Sequence, residues 1–421
     1  MSNAILNSNA SSALISSLDS VSSAKNPYIY SYSQRGTLGA AHVPAHSRTV
    51  VTSYSNSVGF NQNCDFQVIK AGMWESGWLK FQVTTPAANT EVNASLMNLM
   101  VEEIQLLTAG KVVCSSKPFG RAAIMSNKPY QIKKNLEKCY ALEGAYKTHS
   151  GVTTVTAYIP LSFSCFDAPE LNYNTSFVEP LVVRVRLAAA NTYASNNADP
   201  AVAVSLESPV LELIQVHRLL PSNLEQKQIA ENYADTESLV RVQYDLVEEL
   251  KTETLAASAN QKIARTLTTN RTFNKMFIAV EDTQIAATTD LDSGALGQYK
   301  QLSNIKITGN GQTIMDCDAD LVRFCLNQDT DSANAAFSVG NGFEEGIAHS
   351  CFIYCVDFGM NKDPSHLTNV ISSREINDLK VEVTLHGTPT ATPHNLRLCL
   401  QSPQLESLHS ASGKISTSLS S

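Results

Sequence analysis

The sequence has little charge of either sign. Asp, Glu, Lys and Arg together make up 17% of its 421 residues, and the acidic ones win, leaving a net charge of −8. A general nucleic-acid binder needs a basic face to displace counterions, so that class is excluded for the chain as a whole. Long apolar runs are missing too: no stretch approaches the roughly 18 to 20 residues of a membrane-spanning helix. The start, Met1-Ser2-Asn3-Ala4, has neither a basic region nor an apolar core, and no signal peptide is expected. Nine cysteines, an odd number without framework spacing, point to free and mostly buried thiols made in a reducing compartment. The sequons at Asn9, Asn93, Asn174 and Asn270 then read as chance matches in a chain rich in Asn, Ser and Thr.

Catalytic signatures are equally scarce. Gly-x-Ser-x-Gly, His-Glu-x-x-His, Gly-x₄-Gly-Lys-Ser/Thr and Gly-x-Gly-x-x-Gly do not occur. The histidines, including the pair His42 and His46 in a Pro/Gly-rich segment, are dispersed. Asp316, Asp318 and Asp320 alternate as in a calcium loop, but Leu321 and Asn327 stand where that loop needs glycine and glutamate. They read as a solvated strand end. His349, Cys351, Ile353 and Cys355 alternate onto one face of an expected strand, yet zinc sites use close cysteine pairs from turns. A core strand is the better reading. Trp74, Trp78 and Phe81 form a local aromatic cluster that would suit a carbohydrate platform if exposed, or a core or interface if buried. No catalytic, cofactor-binding or metal-binding residue is assigned, and no enzymatic function is expected.

What is present is a doubled β pattern. Val183, Val185 and Leu187 alternate with Arg184 and Arg186 before a loop. Leu379, Val381, Val383 and Leu385 do the same against Lys380, Glu382 and Thr384. Val240, Val242, Tyr244 and Leu246 form a third such run, with those four residues expected on the core face. Ile159–Phe163 precedes the first run and Cys351–Val356 the second. Farther upstream, Thr108-Ala109-Gly110-Lys111 and Gly309-Asn310-Gly311-Gln312 are hairpin turns. Gly110 and Gly311 lie 201 residues apart and Val183 and Val381 lie 198 apart, so order and spacing repeat together. Such a duplication predicts an all-β protein of two tandem sandwich or barrel domains.

The division expected is an N-terminal arm over 1–27, a first sandwich over 28–220, a linker helix over 221–235, a second sandwich over 236–408 and a loose tail over 409–421. In the arm, Leu14, Ile15, Leu18 and Val21 share a helical face, and the only charges are Asp19 and Lys25. That composition suits docking on protein or a membrane surface rather than on DNA.

The repeated segments resemble the double jelly-roll major capsid proteins of double-stranded DNA viruses, the lineage of nucleocytoplasmic large DNA viruses, virophages and polinton-like viruses. Ile159-Pro160-Leu161-Ser162-Phe163-Ser164-Cys165-Phe166 is similar to the family's Ile-Pro-Leu-x-Phe-x-Phe strand, and Glu179-Pro180-Leu181 to the strand start that follows it. Phe358-Gly359-Met360-Asn361-Lys362-Asp363-Pro364 and Asn369–Asp378 resemble the corresponding second-half segments. The chain departs from the family in having Ile371-Ser372 where an Asn-Phe is usual, and an extra Glu375 after Arg374.

The resemblance implies two tandem eight-stranded jelly-roll sandwiches and a capsid protein that forms homotrimeric, pseudo-hexagonal capsomers tiling an icosahedral shell. Its implied partners are further copies of itself, neighbouring capsomers and minor capsid or penton proteins, with the arm against an inner membrane or inner shell. The implied location is the virion, without cofactors. Loops 115–156 and 188–203 are expected to decorate the first jelly roll's outer surface. The other function open to a tandem β-sandwich is carbohydrate or receptor binding through Trp74 and Trp78.

Overall fold

The computed structural model describes residues 48–126, 148–196, 205–218, 238–282, 299–324, 337–338, 350–358, 371–409 and 413–419, apart from short interruptions within them. The N-terminal arm, the linker helix, His42, His46 and His349 lie outside these residues.

In the first half, eight strands carry the fold: β1 Arg48–Tyr54, β2 Asn63–Gln67, β3 Met73–Thr84, β4 Val101–Thr108, β5 Lys111–Ser116, β6 Thr154–Pro160, β7 Leu181–Leu187 and β8 Glu207–Arg218. They form two antiparallel sheets with orders β1-β8-β3-β6 and β2-β7-β4-β5, and the short strand Tyr173–Asn174 also pairs with β3. The second half repeats this with β9 Ser238–Thr254, β10 Lys262–Thr266, β11 Lys275–Asp282, β12 Leu302–Gly309, β13 Gln312–Asp318, β14 Tyr354–Asp357, β15 Lys380–Leu385 and β16 Pro393–His409. Its sheets are β9-β16-β11-β14 and β10-β15-β12-β13. Each strand of the first half therefore has its twin eight places later, in the same sheet and between the same neighbours. That order, with sequence-distant strands adjacent in each sheet, is the jelly roll. The chain is all-β with two tandem jelly rolls, as expected.

Alternation accounts for each core. Val183, Val185, Phe81, Leu79, Ile104 and Leu213 are buried in the first cluster, and Val381, Val383, Ile278, Met276, Ile305 and Leu398 in the second. The twinning extends to single residues. Val183 sits opposite Leu106 and Val381 opposite Ile307, so the two sequence-matched valines hold the same register. Both β4–β5 and β12–β13 turn through two residues at positive φ, Ala109-Gly110 and Asn310-Gly311. The second place in each is glycine, which takes that conformation without steric cost. Both hairpins also carry a bulge at the same place, Val113 and its twin Ile314.

Two expectations change. The terminal residues are not a loose tail. Lys414–Leu419 form a strand, β17, paired with the end of β16, and Ile415 is buried in the core of the first jelly roll rather than the second. An isolated Ile in a Ser-rich segment reads as exposed in sequence, and the cavity that receives it belongs to a distant part of the chain. The second change concerns β9. Val247 and Glu249 turn toward the second jelly roll, whereas Tyr244, Leu246 and Glu248 face the first. Both faces of this strand are covered, so its alternation could not tell core from interface.

Candidate assembly interface

Helix α1, Pro118–Ser126, follows β5 and opens the segment expected to decorate the outer surface. It does the reverse. Phe119 and Ala123 are buried with Phe277, Ala279, Tyr299, Ile353, Cys355 and Cys399 on the outer face of the β9-β16-β11-β14 sheet, with Ile124 and Leu246 at the rim. The Phe119 and Tyr299 rings meet edge to face at 5.5 Å.

The helix approaches closely because it presents glycine. The Gly120 amide donates to Glu248 Oε1 at 2.8 Å, and a Cβ at Gly120 would lie 3.1 Å from Glu248 Oε1, 3.2 Å from Leu246 Cδ1 and 3.5 Å from Cys399 Sγ. Glu248 thus occupies the positive end of a helix belonging to the other jelly roll. Burial pushes its carboxyl pKa up, against the opposing pull of the Gly120 amide and the cations Arg397, Lys117 and Arg121. Asp245, nearby on β9, is also raised by burial, with Arg271 2.9 Å away pulling the other way.

Around this contact the two jelly rolls are stitched by single hydrogen bonds. Gln404 Nε2 donates to the Val113 carbonyl at 2.7 Å, the Tyr244 amide to Ser164 Oγ at 3.2 Å and the Glu179 amide to the Gly413 carbonyl at 2.8 Å. Tyr173 donates its hydroxyl to Glu406, both fully buried. Buried polar groups left unpaired cost far more than paired ones contribute, so such bonds fix one relative placement of the two units.

The motifs singled out in sequence fall elsewhere. Asp316 pairs with Lys306 at 3.0 Å, which together with Asn304 holds its carboxyl below the usual range. Asp318 accepts the Asp320 amide at 2.8 Å and caps helix α2, Ala319–Phe324. The alternating acids are therefore an ion pair and a helix cap. Cys355 is buried among apolar side chains and its thiol is pushed up to about 12 by that burial. Cys355 and Cys399 each sit opposite Phe277, on the strands either side of it, two strand spacings apart and beyond disulfide reach. The side chains of His349 and Cys351 are outside the described residues. No group of three or more metal-ligating side chains occurs among the described residues.

The aromatic cluster divides. Trp74 and Phe81 are fully buried in the first core, where Trp74 meets Phe166 edge to face at 4.9 Å and stacks on His217 at 6.4 Å. Trp78 points the other way, half-buried on the outer face of the β1-β8-β3-β6 sheet. Two tryptophans four residues apart were expected to act together, but a bulge at Glu75 of β3, opposite Val216 and His217 of β8, falls between them. What sequence reading missed is the interface itself. Its only sequence signal is the Pro118-Phe119-Gly120 start of a helix at the end of a strand, too short to stand out.

The fold and this side-by-side fusion define a double jelly-roll protein. Among solved structures the chain is similar to PBCV-1 VP54, as fitted into a reconstruction of the virophage Sputnik, at a TM-score of 0.64 and 12% identity over 91% of this chain and 99% of that one. It is similar to a chain of the Sputnik virophage itself at 0.60 and 12%, covering 90% of each chain. The Faustovirus major capsid protein matches at 0.58 and 9% over 87% of this chain and 92% of that one. No family model and no curated protein matches the sequence. The likeness is one of fold, held over nearly the whole length of each neighbour.

Proposed function

We propose that the chain is the major capsid protein of an icosahedral virus and acts by self-association rather than catalysis. The observation that carries this reading is the fusion of two jelly rolls of identical strand order through a buried interface, in a protein whose full-length structural neighbours include a major capsid protein. Two sandwiches per chain and three chains per capsomer give six similar columns, and six-fold pseudo-symmetry lets one unit tile a surface. In this reading 1–27 is an inner arm, 28–220 and 236–408 are the two columns, 221–235 joins them, and the virion is the location. Neighbouring capsomers and minor capsid or penton proteins are the partners. The carbohydrate-binding alternative loses its basis because Trp74 and Phe81 are core residues, leaving Trp78 without its partners.

The test is size-exclusion chromatography with light scattering, followed by electron microscopy of the peak. A particle of about three times the 45.6 kDa chain with a pseudo-hexagonal outline is expected. A monomer at micromolar concentration that binds glycan arrays would overturn the proposal.

A further inference from the structure

Strand β9 turns two neighbouring glutamates to opposite sides, and their surroundings differ sharply. Glu249 faces the second jelly roll, where five donors reach its carboxylate: Arg265 Nε and the amides and hydroxyls of Thr268 and Thr269. Glu248 faces the first jelly roll. Among the described residues its carboxylate accepts one hydrogen bond, from the Gly120 amide at 2.8 Å, and forms no ion pair.

The groups around Glu248 explain why. From β16, Cys399 lies directly opposite it in the ladder, and Arg397 is held by Glu281 of β11 at 2.6 Å. From α1, the buried Arg121 gives its guanidinium to the Ser116 and Val101 carbonyls, while Lys117 is exposed. Strand β14 brings the Cys355 thiol and Asp357, which pairs with Lys275 of β11 at 3.2 Å, and Tyr299 joins the same apolar cluster. Along β9 itself, Asp245 pairs with Arg271 at 2.9 Å. The nearby buried cations are therefore committed elsewhere.

Two effects compete at this carboxylate. The first turn of α1 favours an anion, and Arg397, Lys117 and Arg121 add to that from a distance. Loss of water opposes it, because a buried charge held by one hydrogen bond is costly. Burial is the larger influence, and the carboxyl titrates above its ordinary 4.5.

We propose that Glu248 is a proton-operated latch on the joint between the two jelly rolls: protonated, it seats α1 on the β9-β16 face, and ionised, it loosens that seat. A neutral carboxyl still accepts the Gly120 amide, so protonation removes the cost of the buried charge and keeps the bond. The sign follows from linkage. Glu248's contribution to the seat is complete below pH 4.5 and is lost as pH rises through its raised value. Both surfaces belong to one chain, so the latch is independent of how copies assemble.

Cys399 reports on the seat, since its buried thiol lies opposite Glu248. The full chain and Glu248→Gln, which keeps an acceptor oxygen without the charge, are pulse-labelled under native conditions with N-ethylmaleimide. Labelling of Cys399 is then read by peptide mass spectrometry. The thiol's own pH dependence is common to both proteins and cancels in the ratio of their rates. That ratio, unaltered over variant, should rise about tenfold between about pH 5 and about pH 8.5, one pKa unit being tenfold in an equilibrium. A ratio that stays flat, or falls as pH rises, overturns the latch. Hydrogen exchange of the unaltered protein covers the case of a variant that does not fold. Corrected for intrinsic exchange, the amides of 120–123 should lose about tenfold in protection relative to β3 over the same range. Unchanged protection there overturns the proposal as well.

Discussion

His217 shows how much one residue's surroundings can decide. Its ring is fully buried, stacked on Trp74 and held at 3.1 Å from Gln215 Oε1, and burial lowers its pKa from 6.5 to about 4. The folded protein therefore keeps the ring neutral in a range where the unfolded chain takes up a proton. Stability is complete above pH 6.5 and falls as pH drops toward 4, below which both states are protonated and nothing more is lost. The full loss is about 3 kcal/mol at roughly 1.4 kcal/mol per pKa unit. Urea denaturation at pH 7 and pH 4.5 should show it, and His217→Gln should flatten that part of the profile. An unchanged slope in the variant would assign the acid sensitivity to other groups. Glu249 acts with the same sign. Burial opposes its ionisation, but the Thr269 hydroxyl, Arg265 and the Thr269 and Thr268 amides outweigh it and hold its pKa low. None of this is visible in sequence, where His217 is one of nine scattered histidines.

At the scale of elements, the terminal strand β17 ties the halves together. It lies on the β16 edge beyond the stretch that β11 occupies, and it delivers Ile415 into the first core, while Gly413 accepts the Glu179 amide. Ile415→Ala should therefore destabilise the first jelly roll by about 2–5 kcal/mol, the range for emptying a buried Ile site. Hydrogen exchange would locate the loss in β3 and its neighbours. Protection lost only in β16 would show that the strand serves the second jelly roll alone. The strands themselves were legible: the alternation in β7 and β15 gave both their existence and their inward residues, because one face of each meets a core and the other meets solvent. In β9 the same pattern gave the strand but not its inward face. Leu246 and Val247 are both partly buried, one against the first jelly roll and one inside the second.

For the whole molecule, the tight seat of α1 predicts that the two jelly rolls unfold together. Calorimetry should show one transition for the unaltered protein. Gly120→Val would force the helix off Leu246, Glu248 and Cys399, costing about 1–3 kcal/mol as an overpacked contact does. That variant should split the transition in two, since each jelly roll keeps its own core. A single transition persisting in the variant would mean that β17 and the polar stitches suffice to couple the halves.

The sequence by itself determined the doubled fold. Strand period, positive-φ hairpin turns and the spacing of Gly110 to Gly311 and Val183 to Val381 are local features, and the backbone obeys them wherever the strands end up. Only the tertiary structure decided which of the two copies is covered. Val113 and Ile314 are twins in the same bulge of the same hairpin, yet one lies under a neighbouring sheet and the other does not. Alternation records that a strand has two faces, but what covers each face depends on residues far away in the chain, and that is settled only when the two jelly rolls meet.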